Sequence, residues 1–250
     1  MDILGIIPAR YQSTRFPGKP LAILGDKTVI QRVYEQSQKV IDEVYVATDD
    51  HRIFTHVKEF GGNVIMTSEK HPSGTDRCRE AMDSIIAGTG IQPEIIINIQ
   101  GDEPFIDPRQ IELLVSCFDD DRADIATLVK KAANTAEIFD ENKPKVVFDN
   151  NNFALYFSRS VIPFIRGEEK DSWIINHNFY RHLGIYAYRK EVLQKITRLA
   201  LSNLETSESL EQLRWLENGF RIKVAETDYD TLGIDTPADL EKARNFLKNQ

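Results

Sequence analysis

Ile3-Leu-Gly-Ile-Ile-Pro-Ala-Arg-Tyr-Gln-Ser-Thr-Arg-Phe-Pro-Gly-Lys-Pro20 is the stretch on which the fold turns. Its first part, Ile3–Ala9, is almost continuously apolar. That pattern suits a strand buried on both faces, as in a parallel sheet, and not a half-exposed alternating strand. The strand breaks at Pro8, and a loop rich in Ser, Thr, Gly and Pro follows. Arg10, Arg15 and Lys19 lie in this loop with no acidic residue between them. A loop leaving the end of a strand can turn backbone N–H groups toward phosphate oxygens. Arginines there clamp phosphate in a fork, and a lysine acts as a point charge.

Outward from this stretch, strand and helix signals alternate. Residues 28–40 carry helical apolar spacing, and Glu43–Thr48 reads as a second strand closed by Asp49 and Asp50 as a helix cap. A helix over 51–60 ends at Gly61 and Gly62, Val64–Met66 is a short strand, and a helix over 75–86 follows Ser73 and Gly74. Residues 94–99, Glu-Ile-Ile-Ile-Asn-Ile, form the strongest strand signal, and a helix over 108–118 opens on Asp107 and Pro108. Alternation of this kind predicts a mainly parallel α/β sheet, which binds ligands at the C-terminal ends of its strands. The second half, with strand signals at 125–129, 145–148, 154–158 and 183–188, predicts a small antiparallel extension. Helices are expected at 191–197 and 208–218, a strand at 222–225, and a last helix from Asp235-Thr-Pro237 to about Leu247. With no repeat or linker, the chain reads as one domain, a nucleotide-binding half over about 1–120 and a second half over about 121–250.

Bulk properties narrow the function. The 250 residues carry 31 basic and 39 acidic side chains, a net charge of −8, and 41% are hydrophobic. An acidic chain without a basic stripe is a poor candidate for nucleic-acid or membrane-surface binding. The local Arg10, Arg15, Lys19 cluster points instead to a small anion. Only Cys78 and Cys117 are present, far apart, which suggests a reducing compartment. With no basic leader and no bilayer-length apolar run, the expected location is the cytoplasm.

Four further segments carry chemistry. Asn98-Ile-Gln-Gly-Asp-Glu-Pro104 ends a strand on carboxylates, and Asp102 there suits Mg²⁺, which takes one or two carboxylates plus substrate phosphates and water; an ordinary turn is the alternative. In Gly233-Ile-Asp-Thr-Pro237, Asp235 is either the cap of the last helix or a second metal ligand. In Ser73-Gly-Thr-Asp-Arg77, a helix start and a cation suit a base, ribose or anion contact, or form only a cap. Arg159, His182, Tyr186, Glu211 and Gln212 are each ordinary alone. The first loop is no Walker A motif, because Lys19 precedes Pro20 and not Ser or Thr, and no G-x-G-x-x-G follows the strand.

In combination, seven segments in order resemble the bacterial CMP-Kdo synthetases, the 3-deoxy-manno-octulosonate cytidylyltransferases. They are Ile7-Pro-Ala-Arg-Tyr11 through Lys19, Ser73 to Arg77, Asn98 to Pro104, Tyr156-Phe-Ser-Arg159, His182 to Arg189, Glu208 to Arg214, and Gly233 to Pro237. The resemblance implies a Rossmann-like nucleotide-diphospho-sugar transferase fold and a Mg²⁺-dependent, usually homodimeric enzyme. Such an enzyme joins CTP to the acid sugar Kdo for lipopolysaccharide assembly, releasing pyrophosphate. It implies that Arg10, Arg15 and Lys19 hold the triphosphate, and that Pro8, Ala9, Ser13, Ser73, Gly74, Arg77 and Gln100 surround the nucleotide. Asp102 and Asp235 would bind metal. Gln100, Arg159, His182, Tyr186, Glu211 and Gln212 would face the sugar acid. The alternatives are a cytidylyltransferase for 8-amino-Kdo or sialic acid, and a non-catalytic nucleotide-binding regulator.

Overall fold

A computed structural model describes residues 1–230 and 232–248. The chain forms two compact units, one of Met1–Glu112 with the segment from Asp230 onward, the other of Leu113–Tyr229.

In the first unit, β1 is Ile3–Ala9, with Leu4, Ile6 and Ile7 fully buried. A two-stranded hairpin, β2 (Ile23–Leu24) and β3 (Lys27–Thr28), leads into helix α1, Val29–Ser37, capped by the Thr28 hydroxyl. Strand β4 (Glu43–Thr48), helix α2 (His51–Glu59) and strand β5 (Val64–Met66) follow. Helix α3 (Gly74–Thr89) and strand β6 (Ile95–Asn98) come next. The four long strands lie in the order β6-β1-β4-β5, all parallel, as the two-sided apolar pattern predicts. In register, Ala9 pairs with Thr48 and Thr48 with Met66, so Arg10, Asp49 and Thr67 leave the sheet at the same edge. Helix α4, Pro108–Ser116, starts as expected, with the Arg109 amide donating to the Asp107 carboxylate.

In the second unit, β7 is Ile125–Lys131 and a short helix α5 is Thr135–Phe139. Strands β8 (Lys145–Phe148) and β9 (Ala154–Ser158), helix α6 (Trp173–Asn176), strand β10 (Tyr180–Arg189) and helix α7 (Lys190–Ile196) follow. β10 runs antiparallel to both β7 and β8, and β8 antiparallel to β9, which is the expected extension. The helix expected over 208–218 is α9 (Glu211–Glu217), and an unexpected short helix, α8 (Asn203–Glu208), precedes it. Ser209 between them takes a left-handed backbone at φ 51°, which ends the first helix and re-aims the chain. Strand β11 (Ile222–Glu226) pairs parallel with β7.

The chain then rejoins the first unit through helix α10, Pro237–Lys248. Leu240 and Ala243 on this helix pack with Leu24, Val29 and Ile234. The edge of the Phe246 ring meets Phe105 at 4.8 Å. This packing brings the Asp235 loop to the same unit as the first loop, although their residues are some 220 positions apart. Asp235 is not the cap of α10. Thr236 is, with its hydroxyl accepting from the Asp239 amide while the Asp239 carboxylate accepts from the Thr236 amide.

Candidate nucleotide site

The first loop is closed on itself. The Gly18 amide donates to the Tyr11 carbonyl at 2.8 Å, and the Phe16 amide donates to the Ser13 hydroxyl at 3.3 Å. Gly18 has φ +73°, a backbone that favours glycine, and a Cβ there would press on the Tyr11 ring at 3.1 Å. The Arg52 guanidinium lies 3.2 Å from the centre of that ring, a cation–π contact that braces the loop from α2. Directly after Gly18, a single 3₁₀ turn, Lys19–Leu21, with Pro20 buried, presents the Lys19 amine.

That amine is the centre of the site. Lys19 Nζ lies 2.6 Å from Asp102 Oδ2 and 3.3 Å from Asp235 Oδ1, and Arg15 Nη2 lies 3.1 Å from the same Asp235 oxygen. The Lys19 side chain is 14% exposed, Asp102 28% and Asp235 48%, so the cluster is graded from enclosed to open. Asp102 is delivered by the turn after β6, whose approach depends on Gly101: a Cβ there would sit 2.7 Å from the Pro8 carbonyl. The Ile234 amide donating to the Asp102 carbonyl at 2.9 Å ties the two carboxylate loops together.

A cavity of about 310 Å³ opens beside this cluster. It is lined by Pro8, Ala9, Arg10, Ser13, Lys19, Ser73, Gly74, Arg77, Gln100 and Asp102. Every nucleotide-contact candidate of the sequence except Arg15 is therefore on one wall or another. Ser73 is the cap of α3, its hydroxyl accepting from the Asp76 amide, so the positive end of that helix faces the cavity. Arg10 donates to the His71 carbonyl, and His71 in turn pairs with the Glu80 carboxylate. Burial, with the neighbouring Arg77 guanidinium, pulls Arg10 below the ordinary arginine value, against the opposing pull of Asp49. Arg77, expected at a base, ribose or anion contact, lines the cavity but is fully buried and paired with Asp49 and the Thr67 hydroxyl. A wider cavity of about 820 Å³ shares Arg10 and Ser13 with the first and is bounded besides by Tyr11, Thr14, Pro17, Asp49, Asp50 and Arg52.

The remaining candidates lie in the second unit. The Arg159 guanidinium donates to three backbone carbonyls, those of Glu208, Glu141 and Ser209. His182 hydrogen-bonds the Thr127 hydroxyl at 2.9 Å and meets the Phe157 ring edge-on at 5.1 Å; enclosure of its imidazole lowers its pKa to about 3. Tyr186 stands 5.2 Å from the His182 ring, and burial raises its hydroxyl well above the ordinary tyrosine value. Glu211, at the start of α9, accepts from Arg214, and Gln212 beside it is buried. The Tyr186 hydroxyl and Gln212 Nε2 have no hydrogen-bond partner among the described residues, and neither has Trp215 Nε1, whose ring meets Tyr186 edge-on at 5.1 Å.

Asp49 was read only as part of a helix cap, and Thr67, Glu80 and Trp215 carried no site signal; Asp49 and Thr67 directly follow strands, while Glu80 and Trp215 lie just past quoted motifs.

A cavity lined by cations and a helix N-terminus at the carboxyl ends of parallel strands, with a lysine between two carboxylates at its mouth, suits a nucleotidyltransferase. The sequence profile of the cytidylyltransferases matches residues 4–223. A 3-deoxy-manno-octulosonate cytidylyltransferase from Parabacteroides distasonis is 57% identical, covering 100% of both chains. One from Bacteroides thetaiotaomicron has the same identity and coverage. A solved structure of CMP:2-keto-3-deoxy-manno-octonic acid synthetase complexed with CTP superposes with a TM-score of 0.90 at 43% identity, covering 100% of this chain and 99% of that one. The chain belongs to the cytidylyltransferase family, among the 3-deoxy-manno-octulosonate cytidylyltransferases.

Proposed function

We propose that this enzyme transfers the cytidylyl group of CTP to 3-deoxy-D-manno-octulosonate (Kdo), giving CMP-Kdo and pyrophosphate. The observation that carries the reading is the convergence of Lys19, Asp102 and Asp235 beside a cavity lined by Pro8, Arg10, Ser73 and Gln100. Full-length likeness at 57% identity to 3-deoxy-manno-octulosonate cytidylyltransferases supports the choice of sugar.

The chemistry follows from the charges. A Kdo hydroxyl attacks the α-phosphorus, and pyrophosphate leaves. Such a step needs alignment and charge neutralisation more than covalent help. Arg10 and Arg15 hold the triphosphate, Lys19 offsets charge on the α-phosphate and leaving group, and the amide end of α3 adds positive potential. Arg159 orients the sugar carboxylate, and the open donors of Tyr186 and Gln212 read its hydroxyls. His182, neutral at physiological pH, acts as a hydrogen-bonding wall and not as a proton carrier.

Asp102 and Asp235 fit a magnesium ion. Their oxygens both reach Lys19 Nζ, so they lie within about 6 Å of each other, and a two-carboxylate set completed by phosphates and water is what Mg²⁺ takes. Among the described residues no cluster of three or more His, Cys, Asp or Glu offers an alternative all-protein cage. Bound there, magnesium would neutralise phosphate charge and lower the pKa of the attacking hydroxyl.

A homodimer and a cytoplasmic location complete the reading. The dimer is supported by Phe164 and Ile175, 71% and 80% exposed on the second unit, where Phe164 meets the ring of Trp173. The location is supported by two buried free thiols, Cys78 and Cys117. Among the described residues, no helix is long and apolar enough to cross a membrane.

Pyrophosphate release from CTP with Kdo, 8-amino-Kdo or sialic acid, each with and without Mg²⁺, tests the reading. Turnover with Kdo that depends on Mg²⁺ is expected. CTP binding without pyrophosphate release would point to a regulator instead.

A further inference from the structure

Arg10 and Arg77 approach the nucleotide cavity from two elements, and both are cations in confined space. Arg77 is fully buried and stands in the first turns of α3, close to the positive end of the helix dipole. Burial, the dipole and a neighbouring guanidinium all oppose a charge there. One carboxylate answers all of them. Asp49 Oδ2 lies 2.5 Å from Arg77 Nη2, while Thr67 Oγ1 takes Arg77 Nη1. The strand register sets Arg10 and Asp49 side by side, since each directly follows a member of the Ala9–Thr48 pair. Asp49 is thus the counter-ion placed between a half-buried phosphate clamp and a fully buried cation.

We propose that Asp49 is a positioning residue for the nucleotide site: it holds Arg77 in the cavity wall and keeps Arg10 aimed at the phosphates. Without it, two guanidiniums share the strand edge uncompensated, and Arg10 swings away from the cavity. The Asp49 opposition to the loss of charge on Arg10 is the same effect seen from the other partner. The inference rests on reading that cavity as the CTP site.

The test is steady-state kinetics of the full chain with CTP and Kdo, beside thermal melting. Parent enzyme that fails to turn over CTP overturns the reading of the cavity itself, separately from any result on Asp49. With an active parent, Asp49→Asn is expected to raise KM for CTP at least about tenfold while kcat at saturation changes less than about threefold. Asp49→Glu, which keeps the charge, is expected to recover most of that loss. Because Asp49→Asn leaves a buried cation unpaired and could impair folding, the double variant Asp49→Asn with Arg77→Gln removes both charges. It is expected to melt near the parent temperature, and Arg77→Gln alone, assayed beside it, gives the part of any KM rise that comes from losing Arg77 itself. A KM within twofold of the parent in Asp49→Asn, or a rise in Asp49→Glu as large as in Asp49→Asn, overturns the proposal.

Discussion

The Lys19 ammonium lies 2.6 Å from the Asp102 carboxylate, at the point where the first loop and the turn after β6 meet. One cation and one anion, each only partly exposed, are thereby fixed at the mouth of the same cavity. Folding stability gives little reason for the pair, because partly exposed ion pairs contribute about 0–1 kcal/mol to folding.

Asp102→Asn removes the charge and keeps the shape. Turnover is expected to fall by about 10² or more, with CTP affinity reduced by less than about tenfold. Rapid-quench or pyrophosphate assays for kcat, with calorimetric CTP titration, measure the two separately. Near-normal turnover would overturn the proposed metal role of Asp102.

Asp235 and Thr236 are adjacent but are predicted to fail differently. Thr236 caps α10, so Thr236→Ala is expected to cost about 1 kcal/mol of stability with much activity retained. Asp235→Asn is expected to leave unfolding free energy within about 0.5 kcal/mol and to lower turnover by at least about tenfold. Urea unfolding and turnover on both variants check this. The reverse assignment would show as an unstable, active Asp235→Asn.

Gly101→Ala places a methyl group 2.7 Å from the Pro8 carbonyl, a backbone atom that cannot rotate away. The turn must shift, moving Asp102 and widening β1 from β6. A loss of about 1–3 kcal/mol in stability is expected, together with a fall in kcat, read by thermal melting and assay of the same sample.

His182 gives a stability signature below neutral pH. Its folded-state pKa is about 3, while in the unfolded chain it returns to the ordinary value of about 6.5. As pH falls through that window only the unfolded state takes up the proton, so stability is full above it and is lost between about 6.5 and 3. His182→Gln should flatten the melting temperature against pH across this range relative to the parent. An unchanged slope would mean that the imidazole is not enclosed in solution.

Much of this protein was decided by local pattern. The two-sided apolar run Ile3–Ala9 and the strand ending Asn98-Ile-Gln-Gly101 allow only buried parallel strands, because burial on both faces leaves no polar alternation. The ligand-bearing loops at their ends follow from that topology. Chemical type was equally legible: cations without acids in one loop, and carboxylates after a strand. What no pattern could reveal was partnership at long range. That Asp235 meets Lys19, that Arg77 is neutralised by Asp49 and so is not free, and that Thr236 and not Asp235 caps the last helix all depend on where distant segments pack. Charge and hydrogen-bonding capacity are properties of a residue. Which charge answers which is a property of distance, and distance is set only when α10 docks on the first unit through Leu240 and Ala243.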